Sequence, residues 1–267
     1  MVWSAKRLIL FPPSRKGKSF PMSSKPNISV NLNKVALLRN SRGGDAPNLA
    51  EAAALVVAQG ADGLTVHPRE DERHVTPDDV VTLSQMDAVR TGAVEYNIEG
   101  DMRAGLVDLI ETVMPKQYTV VPVRPGEITS DRGWRAHDDH ERLHSIAKKL
   151  QPRIRISVFC DPDKGSVDLA ARAGVDAVEF YTGIYARQEV GSADAERAIE
   201  DIAAAAAHAR SLGLRIHGGH DLTLENLPPL LQAVDFDELS IGHHIASTAL
   251  LRGLGSTVHD YLACVKR

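Results

Sequence analysis

The sequence predicts an α/β fold, a (β/α)8 TIM barrel with extra helices. Three observations carry this. Eight short strand-like runs alternate with helical stretches from Asn27 onward. Several of those runs are apolar on one face and polar on the other. Asn33, His67, Glu99, Asp161, His220 and His243 stand at or just past the ends of the runs. A parallel barrel gathers its chemistry there, on the C-terminal rim of its strands.

Each element has a local reason. Residues 28–33 (ISVNLN) lead into a loop bearing Arg39, Arg42 and glycines, then a helix over 47–59. Pro47 opens that helix and Gly60 stops it, the usual asymmetry of helix ends. Residues 62–67 (DGLTVH) run through HPREDERH to a helix over 77–89. VEYNIE (94–99) precedes MRAGLVDLIETV, which Pro115 ends, and YTVVPV (118–123) enters a long loop before a helix over 138–150. IRISVFCD (154–161), a helix over 165–173 and DAVEFYTG (176–183) follow. The longest helix, Ala193 to Leu212, is rich in alanine, the best helix former. LRIHGG (214–219), a helix over 224–233, ELSIGH (238–243) and a C-terminal helical stretch complete eight β/α units.

Strand alternation separates Val94, Tyr96 and Ile98 from Glu95, Asn97 and Glu99. It likewise separates Leu64 and Val66 from Thr65 and His67, and Val30 and Leu32 from Asn31 and Asn33. The apolar set suits covering helices, and the polar set needs a second enclosed face, which a barrel interior supplies. An open doubly wound sheet would want a glycine-rich phosphate turn after the first strand, and no GxGxxG occurs.

The 267 residues suit one large domain, with the barrel over 27–267 and residues 1–26 a disordered extension. Met22 is an alternative start, and the short LILF patch with its flanking cations lacks the long apolar centre of a secretory signal. A net charge of -4 gives no electrostatic case for nucleic acid or an anionic membrane. No apolar run reaches the roughly 18 residues of a membrane span. Cys160 and Cys264 are the only cysteines, and neither position suggests a disulfide framework, so a reduced cytoplasmic setting is expected.

Several residues could do chemistry. His67, Arg69 and His74 sit close together in HPREDERH; an imidazole exchanges protons near neutral pH and an arginine grips phosphate through paired hydrogen bonds. Glu99 points into the barrel, where burial raises a carboxyl pKa into the range of a general acid or base. An interior arginine fixing that carboxylate is the structural alternative. Gly218 and Gly219 precede His220, and Gly242 precedes His243, at the ends of the last two strands. Barrels often hold phosphate there through backbone N–H groups, though paired glycines also make plain turns. Lys34, Arg39 and Arg42 could meet anionic substrate or pair on the surface. No HxH follows the first strand and no cysteine pair sits near the rim, so no metal site is assigned.

Taken together, VNLNKVALLRNSRGG, GADGLTVHPREDERHVTPDDV, EYNIEG, GEITSDRGW, AVEFYTGIYA, GGHDLT and SIGHH resemble the pyridoxine 5'-phosphate synthase family of vitamin B6 biosynthesis, in family order from about Asn27 to the C-terminus. The resemblance implies condensation of two small phosphorylated substrates, 1-deoxy-D-xylulose 5-phosphate and 3-amino-2-oxopropyl phosphate, without metal or redox cofactor. It implies a homo-oligomer, an octamer built as a tetramer of dimers. It implies His67 and Glu99 as proton acceptors and His220 as proton donor. Arg69, His74 and Thr129 would hold the deoxyxylulose phosphate; Asn31, Arg39, Asp221, Gly242 and His243 would surround the aminooxopropyl phosphate. Asn33 and Lys34 join the substrate-binding set, although many members carry Asp-His there and Gly in place of Asp221. That combination reads as a subgroup signature. The rival readings are another phosphosugar barrel, an aldolase or epimerase, and a catalytically silent phosphate-binding homologue. A Schiff-base aldolase needs a strand lysine, and the runs above contain none. DRGW is a candidate lid.

Overall fold

The computed structural model describes residues 25–124, 127, 129–135 and 138–266. All but residues 25 and 26 of the expected N-terminal extension lie outside the described residues. Eight parallel strands close into a barrel in chain order: β1 (Asn27–Asn31), β2 (Gly63–Val66), β3 (Glu95–Gly100), β4 (Gln117–Val120), β5 (Arg155–Cys160), β6 (Ala177–Tyr181), β7 (Arg215–Gly219) and β8 (Glu238–Ile241). β8 returns to β1 in the register Asn27↔Glu238 through Val30↔Ile241. Closure leaves no free sheet edge.

The helices are α1 (Asn33–Asn40), α2 (Leu49–Ala58), α3 (Pro77–Ser84), α4 (Asp87–Arg90), α5 (Ala104–Val113), α6 (His140–Leu150), α7 (Lys164–Ala173), α8 (Gly183–Ala186), α9 (Ala193–Ser211), α10 (Leu227–Ala233), α11 (His243–Arg252) and α12 (Leu254–Val265). Beyond the unexpected α8 and the division of the C-terminal stretch into α11 and α12 at Gly253, two more differ from the sequence reading. Residues 33–40 form α1, where a loop was expected; the run Val35–Arg39 is rich in good helix formers, and its Ala36 is buried. The single helix over 77–89 splits at Gln85 and Met86, because Met86 is extended (ψ 136) and caps α4. α3 itself starts on a reciprocal cap: the Thr76 hydroxyl accepts from Asp79 N–H, and the Asp79 carboxylate accepts from Thr76 N–H.

Alternation puts Val30, Leu64, Tyr96 and Ile98 outward into the helix layer, all fully buried. Many inward residues are polar and satisfy one another, whereas Ser157, Glu179 and His217 keep buried side-chain atoms without a hydrogen-bond partner among the described residues. Ser29 Oγ lies 2.7 Å from Thr65 Oγ1, Asn97 Nδ2 donates to Thr65 Oγ1 at 3.3 Å, and Thr119 Oγ1 donates to Asn97 Oδ1 at 3.0 Å. Nearer the N-terminal end, Arg155 donates to Glu95 Oε2 at 2.7 Å and to Gln117 Oε1 at 3.1 Å. This polar lining holds the strands while leaving the C-terminal mouth open for the groups above it.

Candidate active site

A cavity of about 530 Å³ opens at the C-terminal mouth, and it brings together residues spread from Asn31 to His243 in the chain. Asn31, Asn33, Lys34, His67, Arg69, His74, Glu99, Thr129, His220, Asp221, Gly242 and His243 all line it. Arg42, Asp161, Gly218 and Gly219, which the sequence also singled out, do not line it, and of the residues the resemblance assigned to the site Arg39 alone does not. It sits near the end of α1 and closes a two-pronged ion pair with Asp79, Nη1–Oδ1 2.5 Å and Nη2–Oδ2 2.8 Å. The loop placement assumed for Arg39 is therefore corrected: helix α1 turns it toward α3, and the reciprocal cap on Asp79 holds its partner still.

Glu99 occupies the centre. It comes from the inward face of β3, and its carboxyl accepts from Asn31 Nδ2 at 3.2 Å and from Ser240 Oγ at 3.4 Å. Burial outweighs these bonds and pushes its pKa up to about 7. His67 Nδ1 lies 3.8 Å from Glu99 Oε2. Burial, with Arg69 and His74 nearby, drives the His67 pKa well below its ordinary value. This contact therefore joins a neutral imidazole to the carboxyl and is no ion pair at neutral pH. The His67 Nε2 atom is buried without a hydrogen-bond partner among the described residues, so one ring nitrogen is uncommitted. Asn33 fixes the strand end below it: its Oδ1 accepts from His67 N–H at 2.8 Å, and Asn33 N–H donates to Asn31 Oδ1 at 3.0 Å.

Around this pair stand Arg69, His74 and Lys34. Arg69 is buried and reaches Glu127 Oε1 at 3.3 Å and Ser130 Oγ at 3.4 Å. His74 Nδ1 accepts from Val75 N–H at 2.9 Å, and burial lowers its pKa to about 4, so the ring is neutral. Lys34 enters from the first turn of α1.

Across the mouth, β7 ends in His220 and Asp221. Both adopt left-handed backbone (φ 93 and 58), rare for residues with a side chain and often found at functional turns. The Thr182 hydroxyl clamps this turn by donating to the Gly219 and His220 carbonyls, both at 2.7 Å. His220 Nδ1 lies 3.1 Å from Asp221 Oδ2 and its Nε2 lies 3.1 Å from Thr129 Oγ1. The hydrogen bond from His220 holds the Asp221 carboxyl below its ordinary value. An ionised Asp221 favours a proton on Nδ1, which leaves Nε2 turned to the cavity. Tyr181 packs edge-on against the ring at 5.0 Å.

The glycines divide their labour differently from the sequence reading. Gly218 and Gly219 lie inside β7, not in a phosphate turn. A Cβ on Gly218 would meet Phe236 at 2.6 Å, and one on Gly219 would meet Glu179 Oε1 at 2.8 Å, so both serve packing. Gly242 does stand at the rim, as the residue before α11, whose first turn has no side-chain cap. Gly242 and His243 line the cavity there, at a helix start of the kind that binds anions. DRGW is no free flap: Trp134 is buried, its N–H donates to Phe159 O at 2.9 Å, and Gly133 N–H donates to Asp161 Oδ1 at 2.7 Å. Asp161, at a strand end like the others, thus anchors this segment.

Several lining residues escaped the sequence reading, among them Ser240, Arg187 and Glu179. Glu179, inward on β6, lines the cavity, is buried, and has an Oε2 atom without a partner among the described residues. Burial, reinforced by Glu99, drives its pKa well above the carboxylate range. The signal was available in the alternation of AVEFY, whose only charge points inward. Among the described residues, no group of three or more His, Cys, Asp or Glu is placed to hold a metal ion. No helix there is long and apolar enough to cross a membrane.

Comparison with known proteins places this geometry in context. The family model described as pyridoxal phosphate biosynthesis protein PdxJ matches residues 28–267. A pyridoxine 5'-phosphate synthase of Bacteroides thetaiotaomicron is 43% identical over 241 residues, covering 90% of this chain and 99% of that protein. The synthase of Cytophaga hutchinsonii is 42% identical over 242 residues, with 90% and 99% covered. Among solved structures, the phosphoribosyl anthranilate isomerase of Thermotoga maritima superposes with a TM-score of 0.56 at 12% identity, covering 90% of this chain and 98% of its own. An Aquifex aeolicus protein reaches a TM-score of 0.61 at 14% identity, with 90% and 93% covered. At such identities the structural likeness speaks for the barrel alone.

Proposed function

Because the chain belongs to the PdxJ family of pyridoxal phosphate biosynthesis proteins, we propose that the mouth of its barrel carries the acid and base groups of pyridoxine ring closure. It is a pyridoxine 5'-phosphate synthase, joining 1-deoxy-D-xylulose 5-phosphate to 3-amino-2-oxopropyl phosphate and releasing inorganic phosphate and water. An amine meets a ketone and water leaves, phosphate is eliminated, and an aldol-type closure with loss of a second water makes the aromatic ring. Each step moves a proton, so groups poised near the working pH are needed on both sides of the substrates.

Glu99 and His67 act as proton acceptors and His220 as proton donor. The observation that carries this is the position of Glu99: a buried carboxyl with a pKa of about 7, 3.8 Å from one neutral imidazole and in the same cavity as a second. A carboxylate so tuned takes a proton at neutral pH and gives it back. His220, with Asp221 on Nδ1, presents Nε2 to a leaving oxygen. Arg69, His74 and Thr129 hold the deoxyxylulose phosphate, with Lys34 and Asn33 beside them. Asn31, Asp221, Gly242 and His243 surround the aminooxopropyl phosphate. Arg39, paired with Asp79, is dropped from that group. Holding both phosphates in register removes much of the entropic barrier to joining them. The family resemblance is the basis for a cytoplasmic homo-oligomer built as a tetramer of dimers; Leu250 and Leu251, exposed on α11, suit a contact between copies.

The test is direct. Purified protein with both substrates, without added metal, is expected to form pyridoxine 5'-phosphate with one inorganic phosphate released per ring. Absence of product with both substrates bound would leave the phosphate-binding homologue as the better reading.

A further inference from the structure

We propose that Arg187 binds the phosphate of 3-amino-2-oxopropyl phosphate, aimed at it by Tyr181. The proposal rests on the synthase reading above and adds a residue to the binding of one substrate. Arg187 directly follows α8 and lines the same cavity as His220, Gly242 and His243. Its guanidinium lies over the Tyr181 ring, 5.6 Å from the centroid, and donates to the Tyr181 hydroxyl. Tyr181 in turn packs against His220 at 5.0 Å. One aromatic ring therefore separates Arg187 from the imidazole at the turn.

Two electrostatic facts point to an anion. First, Arg187 has no carboxylate partner among the described residues, whereas three other arginines of this region each pair with one. Arg69 pairs with Glu127, Arg73 with Asp71, and Arg39 with Asp79. A guanidinium that lines a polar cavity and lacks a counter-charge is suited to a carboxylate or phosphate ligand. Second, of the lysines and arginines lining the cavity among the described residues, Lys34 follows β1 and Arg69 and Arg73 follow β2, so Arg187 is the one that comes from the β6 side, next to the acidic Asp221. A phosphodianion beside Asp221 needs a positive group to offset the repulsion.

Topology places Arg187 on the correct arc. β6 pairs with β7 and β7 with β8, so the end of α8 lies beside the His220 turn and near the start of α11. Lys34 and Arg69 come instead from the β1 and β2 sides. The competing role for Arg187 is packing, its stem covering Tyr181. Methionine keeps that stem and removes the charge.

The experiment is Arg187→Met, with KM measured for each substrate at saturating levels of the other, alongside calorimetric titration of inorganic phosphate into wild type and variant. A lost charge-assisted phosphate contact is expected to raise KM for 3-amino-2-oxopropyl phosphate about 10- to 100-fold. KM for the deoxyxylulose phosphate and kcat should move by less than about threefold, and Arg187→Lys should recover part of the loss. Phosphate binding at one of two sites should weaken to the same degree in Arg187→Met. Unchanged KM values in an active variant overturn the proposal and leave the synthase reading intact, as does a rise confined to the other substrate. If wild type makes no product, the synthase reading fails, and the phosphate titration alone decides whether Arg187 holds an anion: equal affinity in wild type and variant overturns it.

Discussion

Glu99 ends a strand where little water reaches its carboxyl, and its two hydrogen bonds come from neutral donors, Asn31 and Ser240. Neither donor offsets the cost of burying charge, so the protonated form gains and the pKa rises to about 7. Glu179, on the other side of the mouth, is pushed in the same direction by burial and by the nearby Glu99 carboxyl. The sign for catalysis follows. A base must be ionised to work, and a raised pKa shrinks the ionised fraction as pH falls. The kcat/KM profile should therefore have an acidic limb near pH 7, set by Glu99, with a loss of about tenfold per pH unit below it. A limb near the ordinary carboxylate value of 4.5 would show that Glu99 is not the group that must lose its proton.

At the scale of elements, short connections decide what each side chain can reach. The segment 129–135 carries Thr129 to within 3.1 Å of His220 Nε2 because Gly133 and Trp134 dock on β5. A Cβ on Gly133 would fall 2.0 Å from the Asp161 backbone nitrogen, so nothing larger fits there. Gly133→Ala should cost about 1–3 kcal/mol of stability, read as a lower melting temperature, because the docking must open. It should also raise KM for the deoxyxylulose phosphate; an unchanged KM in the destabilised variant would detach this segment from substrate binding. Such docking was hard to read from the sequence. The strands, their inward and outward faces and the long helices all follow from alternation and from alanine-rich or proline-bounded runs, which are local signals. The break at Met86, the helix over 33–40 and the partner of Arg39 depend on contacts between segments far apart in sequence, and no local pattern encodes them. The glycines before His220 misled for the same reason: their small size answers Phe236 and Glu179, residues on other elements.

For the whole molecule, a closed parallel barrel makes eight strand ends share one rim. Residues 31, 67, 99, 220 and 243 can then face one cavity although the first and last stand 212 positions apart in the sequence. That convergence is why strand-end polar residues were legible as one site, and why Glu179, read from within its strand, was not. Below the rim, the hydrogen-bonded interior from Ser29 to Thr119 keeps the mouth rigid, so the acid and base groups are held before substrate arrives. The central claim is that the carboxyl of Glu99, buried among these groups, moves a proton in ring closure. Glu99→Gln keeps the size of the side chain and removes the base, and the decisive measurement is kcat of that variant under saturating substrates. The account predicts a fall of about 100-fold or more with both substrates still bound; turnover close to wild type would contradict it.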